Sequence, residues 1–165
     1  MSIYYIAFGG NLGDVPAAFH AARQCIEQLE YTDVTASSLL YRTPPLGPPG
    51  QAYYYNAVIA AQSELAAEDF LDALQMIEAE HGRIRAEHWG PRTLDLDIIA
   101  IDAETMDTKR LTVPHAHMQN RQFVLRPLCD IAPSWQHPRL GETASQLLDS
   151  LLQAGESALP KGSTW

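Results

Sequence analysis

The stretch that most restricts the fold of this chain is RTPPLGPPGQ at residues 42–51, which holds four prolines and two glycines. Proline fixes φ and lacks a backbone N–H, so we expect a stiff, extended loop here. The loop joins two β-rich segments, DVTASSLLY at residues 33–41 and YYYNAVIAAQS at residues 53–63. It is too short and too rich in proline to hold a crossover helix, which favours an antiparallel arrangement.

The pattern of apolar residues in the other segments predicts a β-α-β-β-α-β order of elements. SIYYIAF at residues 2–8 is β-rich, and helical spacing of apolar residues predicts helices over 16–30 and 66–81, with Asp14 as the N-cap of the first. A strand follows at 92–100, then an apolar stretch at 123–133 and a helix near 143–154. This order predicts an α+β fold: a ferredoxin-like, antiparallel-rich sheet with helices packed on its faces. A doubly wound Rossmann sheet fits less well.

Length and composition agree with one globular domain spanning residues 1–165. The net charge of −9 argues against non-specific binding to nucleic acid or to an anionic membrane. The first residues show no signal-peptide pattern, and Cys25 and Cys129 have no metal-ligand spacing. We therefore expect a cytoplasmic protein with reduced thiols, acting as a monomer.

The positive charge is concentrated in one part of the chain. Residues 83–126 carry a net charge of +1, and the remainder carries −10. Six of the nine arginines lie in that span, and arginine's planar fork suits bidentate binding of phosphate or carboxylate. An anionic ligand is expected to bind here.

RTLDLDIIA, at residues 92–100, places two carboxylates in an otherwise apolar strand. Alternation in a strand puts Asp95 and Asp97 on one face, ~7 Å apart along the backbone, and Leu94, Leu96 and Ile98 on the other. Like charges at this spacing favour a divalent cation between them, and Mg²⁺ takes one or two carboxylates together with substrate phosphates. The simpler alternatives are a solvated face of an edge strand and a salt-bridge network with the nearby arginines.

Carboxylates beside arginines are typical of phosphoryl transfer, although no P-loop and no G-x-G-x-x-G motif is present. Aromatic residues around Tyr54 and Phe123, with Asn56 close by, could stack and read a flat heterocycle; core packing is the ordinary alternative. The histidines, among them His115 and His117, lack a zinc pattern.

Four motifs in order resemble one family. GGNLGD, YRTPPLGP, GPRTLDLDII and RLTVPHAHMQNR together are similar to hydroxymethyl-dihydropterin pyrophosphokinase, over residues 3–133. The resemblance implies transfer of pyrophosphate from ATP to the hydroxymethyl group of 6-hydroxymethyl-7,8-dihydropterin, releasing AMP, in folate biosynthesis. Two Mg²⁺ ions bound by Asp95 and Asp97 are implied as cofactors. The chain departs from the family pattern at His88 and Ala116.

The resemblance also implies roles residue by residue. It makes Arg83, Arg92, Asp95 and Asp97 catalytic. It assigns to ATP the residues Gln75, Glu78, Arg83, Arg85, Trp89, Arg92, Ile98, Arg110, Thr112, His115 and Arg121. It assigns to the pterin the residues Thr43, Pro45, Leu46, Tyr54, Asn56, Trp89, Asp95 and Phe123. Small molecules are the only partners implied.

Two other functions stay open on the residues alone. One is an Mg-dependent nucleotidyl- or glycosyl-transferase, which also uses Asp-x-Asp pairs. The other is a non-catalytic nucleotide- or pterin-binding module, in which the two aspartates form only a solvated face. The co-product formed from ATP separates these possibilities.

Overall fold

A five-stranded sheet forms the centre of the computed structural model, which describes residues 1–44, 52–81 and 94–165. The strands of this sheet are β1 (Ser2–Gly10), β2 (Thr32–Ser37), β3 (Tyr41–Thr43), β4 (Tyr54–Ser63) and β5 (Asp95–Ile101). A separate two-stranded ribbon consists of β6 (Met106–Asp107) and β7 (Thr112–Val113). The helices are α1 (Val15–Glu27), α2 (Ala67–Glu80), α3 (Gln122–Ile131) and α4 (Ala144–Gln153), with a 3-10 turn at Met118–Asn120.

The strand order is β2-β4-β1-β5, and each neighbouring pair is antiparallel. Short β3 also pairs with β4 in the antiparallel sense. This is the ferredoxin-like sheet that the β-α-β-β-α-β order predicts. The segment predicted as one strand over 33–41 forms two strands instead. The Ser38 N–H still donates to the Val58 carbonyl at 2.9 Å, but the Val58 N–H donates to the Ser38 hydroxyl at 2.9 Å, so a side chain interrupts the backbone ladder there.

Helices cover both faces of the sheet. The α1–α2 face is a continuous apolar core that joins Tyr4, Ile6 and Phe8 of β1 to the buried sides of the two helices. The α3–α4 face has a second cluster, in which Val58, Ile99 and Ala100 of the strands pack against the two later helices. Each face therefore buries the apolar stripe of two helices, as alternation within the strands requires.

The ends of α1 and α4 follow from side-chain caps. The Asp14 carboxylate accepts from the N–H of Ala17 at 3.2 Å, which confirms the predicted N-cap of α1. Thr143 and Gln146 form a reciprocal capping box at the start of α4. None of the helices within the described ranges is long and apolar enough to cross a membrane.

Strand β5 changes character along its length. Its first half alternates, with Leu96 and Ile98 buried, Asp97 exposed and Asp95 partly exposed. A register shift against β1, between Tyr5 and Ile6, follows, and from Ile99 to Ile101 the strand is buried on both faces. The aspartates thus lie at the end of β5 where the α3–α4 face is not covered.

Candidate active site

The candidate site is built on one row of residues across three strands. Gly9 of β1 pairs with Asn56 of β4 on one side and with Asp95 of β5 on the other. One step along the strands, Ala7 pairs with Val58 and with Asp97 in the same way. The central strand thus contributes only small residues between the amide and the carboxylates, which leaves an open floor on the α3–α4 face.

A cavity of about 1500 Å³ stands on this floor. Among its walls are the predicted pterin residues Thr43, Tyr54, Asn56, Asp95 and Phe123. The structure therefore brings together from four different segments the described residues that the resemblance assigns to the pterin. The remaining pterin residues, Pro45, Leu46 and Trp89, lie outside the described residues.

A second, smaller pocket of about 270 Å³ adjoins the first. It is lined by four of the predicted ATP residues, namely Ile98, Arg110, Thr112 and His115. Asp97 and His115 line both spaces. The two candidate substrate sites therefore meet at a carboxylate and an imidazole. The arginines Arg83, Arg85 and Arg92, also predicted for ATP, lie outside the described residues.

The His115 imidazole is poised as a hydrogen-bond donor. Its Nδ1 lies 3.2 Å from the backbone N–H of His117 and accepts from it, so the neutral ring carries its proton on Nε2. Burial lowers the pKa of His115, with Arg121 and His117 adding to the effect and the Asp97 carboxylate opposing it. A neutral ring at neutral pH offers Nε2–H to an oxygen anion without acting as a general base.

Arg110 is already held at the mouth of the smaller pocket. Its guanidinium donates to the Asp72 carboxylate at 2.5 Å and to the Gln75 side-chain oxygen at 3.3 Å. The hydrogen bond to Asp72 raises the pKa of Arg110, so the guanidinium stays charged. Gln75 is a predicted ATP residue, and Asp72 is one that the sequence analysis missed. One helical turn separates them on α2, and that spacing was the available signal.

Glu78 is fixed in the core beneath the carboxylate pair. The residue is 5% exposed, and its Oε2 accepts from the backbone N–H of Leu96 at 2.9 Å. That bond ties α2 to β5 between the two aspartates. The contact gives Glu78 a structural task next to the site, and its predicted contact with ATP stays a prediction.

Two aromatic rings line the large cavity. Tyr54 is 47% exposed and Phe123 is 41% exposed, so both rings are open to a ligand in the cavity. The Arg121 guanidinium lies 5.7 Å from the centroid of the Phe123 ring. The rings can therefore stack on a flat heterocycle in a manner that a core position would not allow.

The donor set suits a hard divalent cation. Asp95 and Asp97 offer carboxylate oxygens on the same side of β5, at its open end. Across the described ranges, no group of three or more acidic, histidine or cysteine side chains could hold a metal ion. Two carboxylates completed by phosphate oxygens match Mg²⁺, whereas a structural zinc site needs more protein ligands.

The two thiols take no part in the site. Cys25 and Cys129 are both free and partly buried. Burial raises the pKa of the Cys129 thiol to about 11, so it stays protonated and unreactive at neutral pH. The reduced state expected from the sequence agrees with this.

The chain is similar to proteins of one known family. Residues 5–133 match the family model of 7,8-dihydro-6-hydroxymethylpterin-pyrophosphokinase (HPPK). The chain is 46% identical to 2-amino-4-hydroxy-6-hydroxymethyldihydropteridine pyrophosphokinase of Pseudomonas aeruginosa, over 94% of this chain and 96% of the relative. It is 43% identical to the Haemophilus influenzae protein of the same name, over 90% of each chain.

Solved structures show the same fold at much lower identity. Wild-type Plasmodium falciparum HPPK-DHPS superposes with a TM-score of 0.74 at 14% identity, over 92% of this chain and 45% of that chain. Another HPPK-DHPS, in complex with substrates, gives a TM-score of 0.72 at 12% identity, over 93% of this chain and 46% of that chain. This chain therefore spans less than half the length of those proteins. From the family match and the identity over nearly full length, the chain belongs to the 7,8-dihydro-6-hydroxymethylpterin-pyrophosphokinase family.

Proposed function

We propose that this chain transfers the pyrophosphoryl group of ATP to the hydroxymethyl group of 6-hydroxymethyl-7,8-dihydropterin and releases AMP, a step of folate biosynthesis. The observation that carries the proposal is the meeting of two pockets at Asp97 and His115. One pocket has the aromatic and amide groups that a pterin needs. The other has an arginine and an imidazole donor suited to a triphosphate.

The pterin is proposed to bind in the large cavity. Its ring stacks between Tyr54 and Phe123, and the Asn56 amide reads its hydrogen-bonding edge. Thr43 closes one side of the pocket. Pro45, Leu46 and Trp89 complete the proposed pterin set. The hydroxymethyl group then points to Asp95, next to the smaller pocket.

The triphosphate is proposed to bind along the smaller pocket. Arg110, held by Asp72, and the Nε2–H of His115 donate to phosphate oxygens there. Ile98 and Thr112 form its walls. Arg121 lines the large cavity, and we propose that it reaches the triphosphate from that side. We assign to the same ligand Gln75, Glu78, Arg83, Arg85, Trp89 and Arg92. Together these groups hold the β-phosphorus in line with the attacking oxygen, so positioning and charge neutralisation supply most of the rate enhancement.

Asp95 and Asp97 are proposed to hold two Mg²⁺ ions together with the phosphate oxygens. When bound, such ions neutralise the triphosphate and polarise the attacking hydroxyl. The chain itself contributes the two carboxylates, their spacing on a rigid strand and the support from Glu78 beneath them. No general base is required, because phosphoryl transfer depends little on one.

We also propose that residues 1–165 form a single domain. It acts as a cytoplasmic monomer on small molecules, without a nucleic-acid or membrane partner. The acidic net charge of −9 supports the absence of polyanionic partners.

The test is the identity of the nucleotide product. The protein is incubated with Mg²⁺, ATP and the reduced pterin alcohol, and the products are separated by chromatography. We expect AMP and the pterin diphosphate in equal amounts. ADP would indicate simple phosphorylation, and no turnover at all would favour the non-catalytic binding module. Release of pyrophosphate with an adenylylated pterin would indicate a nucleotidyl-transferase.

A further inference from the structure

The chain from Glu156 to Trp165, which we term the strap, forms part of the wall of the large cavity. It follows α4 and lies beyond residue 133, where the family match ends. Its first half, from Glu156 to Pro160, lines the same cavity as Tyr54 and Asn56. The smaller pocket has no wall from the strap. The strap therefore adjoins only one of the two candidate substrate sites.

One attachment of the strap is the Gln122 side chain. Gln122 is 6% exposed and begins α3, directly between Arg121 and Phe123. Its Nε2 donates to the Ser157 carbonyl at 2.9 Å, and its Oε1 accepts from the Leu159 N–H at 2.9 Å. A buried amide bonded through both ends has one orientation only. The strap is thereby fixed to the turn that carries two of the proposed substrate residues.

The other attachment is Trp165. Its indole N–H donates to the Ser38 carbonyl at 2.7 Å, and its ring meets the edges of Phe8 and Phe19, with centroids 5.5 and 5.9 Å away. The Arg23 guanidinium lies 3.9 Å from the ring centroid and donates to the Trp165 main-chain oxygen at 2.6 Å. The strap is thus attached to the α1–α2 core, on the side of the sheet opposite the cavity.

Between these attachments the strap passes close to the sheet edge. Ser163 and Leu40 exchange two backbone hydrogen bonds, at 2.7 and 2.9 Å. At Gly162, an added Cβ would lie 2.7 Å from the Leu39 Cβ and 3.0 Å from the Tyr41 ring. Neither neighbour can give way easily, because the Asp130 carboxylate accepts from both the Leu39 N–H and the Tyr41 hydroxyl. Only glycine, which has no Cβ, therefore fits at position 162 with the strap in this place.

We propose that the strap is a binding wall of the pterin pocket, and that Gln122, Gly162 and Trp165 are the positioning residues that hold it there. This rests on the proposed function, since it takes the large cavity as the pterin site. Two attachments, one on each face of the sheet, fix the segment 156–160 against the pocket. Releasing either attachment withdraws the wall and weakens pterin binding without altering the smaller pocket.

The test compares Gly162→Ala with Thr164→Ala, an exposed control on the same strap. We expect Gly162→Ala to raise the pterin KM about tenfold while the KM for ATP and kcat stay within about twofold of wild type. Thr164→Ala should match wild type in all three. A merely structural role would move both KM values or only the melting temperature, so equal rises in both would overturn the proposal.

A further, milder variant protects the test against misfolding. Trp165→Phe keeps an aromatic ring and loses the bond to Ser38, so we expect a smaller rise of about threefold. An unchanged pterin KM in every folded variant would refute the strap's role.

Failure of the proposed function is distinguishable. If wild-type protein makes no AMP, the same variants are compared by equilibrium binding of the fluorescent pterin alcohol, with Mg²⁺ and a non-hydrolysable ATP analogue present. Weaker binding by Gly162→Ala but not by Thr164→Ala supports the strap as a wall, whatever reaction follows. Equal binding by both variants overturns it.

Discussion

The two ends of the central sheet use the same strands for different purposes. At one end the α3–α4 face is closed, and Tyr5 of β1 and Ala100 of β5 belong to the apolar cluster beside the helices. At the other end β4, β1 and β5 present Asn56, Gly9 and Asp95 to a cavity. The reverse face stays buried along the whole length. The buried α1–α2 face thus supports the strands at the open end, so polar side chains can lie on the other face without a covering helix.

This difference separates stability from function along a single strand. In β5 the carboxylates face the cavity, and their apolar neighbours Leu96 and Ile98 anchor the strand in the α1–α2 core. Removing a carboxylate should therefore leave the fold intact, and removing a buried residue at the closed end should leave the chemistry intact. Each prediction below tests one side of this division.

The largest effect is expected at the open end, for Asp97→Ala. Loss of one metal-binding carboxylate should lower kcat about a thousandfold or more, because charge on the triphosphate is then poorly neutralised. Asp97 is exposed, so the free energy of unfolding should change by less than about 1 kcal/mol. The measurements are AMP release and urea denaturation. Asp33→Ala, an exposed aspartate on β2, is the control and should change neither. A near-normal rate for Asp97→Ala would contradict the metal assignment.

The next effect is expected at the closed end, for Ile101→Ala. Ile101 is 2% exposed, and truncating it leaves a cavity that should cost about 3 kcal/mol of unfolding free energy. The kcat of the folded protein should stay within about twofold of wild type. Ile3→Ala, at a residue 36% exposed, is the control and should cost less than about 1 kcal/mol. A large loss of kcat with little loss of stability would show that the two ends are not separable.

A smaller effect is expected at the aromatic pair. Tyr54→Ala and Phe123→Ala should each raise the pterin KM about tenfold through lost stacking, with no fall in melting temperature, because both rings are exposed. Tyr53→Ala is the matched control. Its ring is similarly exposed and lies beneath the Arg42 guanidinium, 4.5 Å from Cζ to the centroid, and it does not line the cavity. A pterin KM unchanged by both substitutions would place the pterin elsewhere.

The smallest effect is a pH dependence of stability at His137. Burial lowers the pKa of this histidine below its ordinary value of 6.5, and its Nδ1 accepts from the N–H groups of Arg139 and Leu140 at 3.2 Å. As pH falls below 6.5, the unfolded chain therefore binds a proton that the folded protein excludes. The stabilising contribution of neutral His137 is therefore fully present above pH 6.5 and declines below it.

We expect the melting temperature to fall between about pH 7.5 and about pH 5.5, and to fall less in His137→Asn, whose amide oxygen replaces the acceptor. The lowered pKa of His115 acts in the same direction, so some dependence should remain. An equal fall in wild type and His137→Asn would exclude His137 as its source.

Local patterns were enough to predict much of the fold. The alternation in β5 and the Asp14 cap depend on neighbouring residues, and with the β-α-β-β-α-β order they indicated the antiparallel-rich sheet. The stiff, extended loop stays a prediction over residues 45–51, which lie outside the described residues. The extent of α3 was not predicted, because Pro127 interrupts its helical pattern. The break between β2 and β3 depends on the hydrogen bond that the Val58 N–H donates to the Ser38 hydroxyl, twenty residues away, which no local pattern reveals.

The candidate site, too, was predicted only where it depends on local sequence. Its chemical groups were visible as motifs, but the open floor at Ala7 and Gly9 depends on the register of three strands. The strap was not predicted at all, since Gln122 and Ser157 are 35 residues apart and meet only in the folded chain. Long-range register and long-range hydrogen bonds are the parts that composition and periodicity do not encode.

The central claim is that the open end of β5 holds the metal ions through Asp95 and Asp97. Its most direct test counts bound Mn²⁺, used in place of Mg²⁺, by electron paramagnetic resonance with a saturating non-hydrolysable ATP analogue. We predict about two ions per wild-type chain, and at most one in the folded Asp97→Ala variant. The same number of ions, bound with the same affinity in both proteins, would contradict the account.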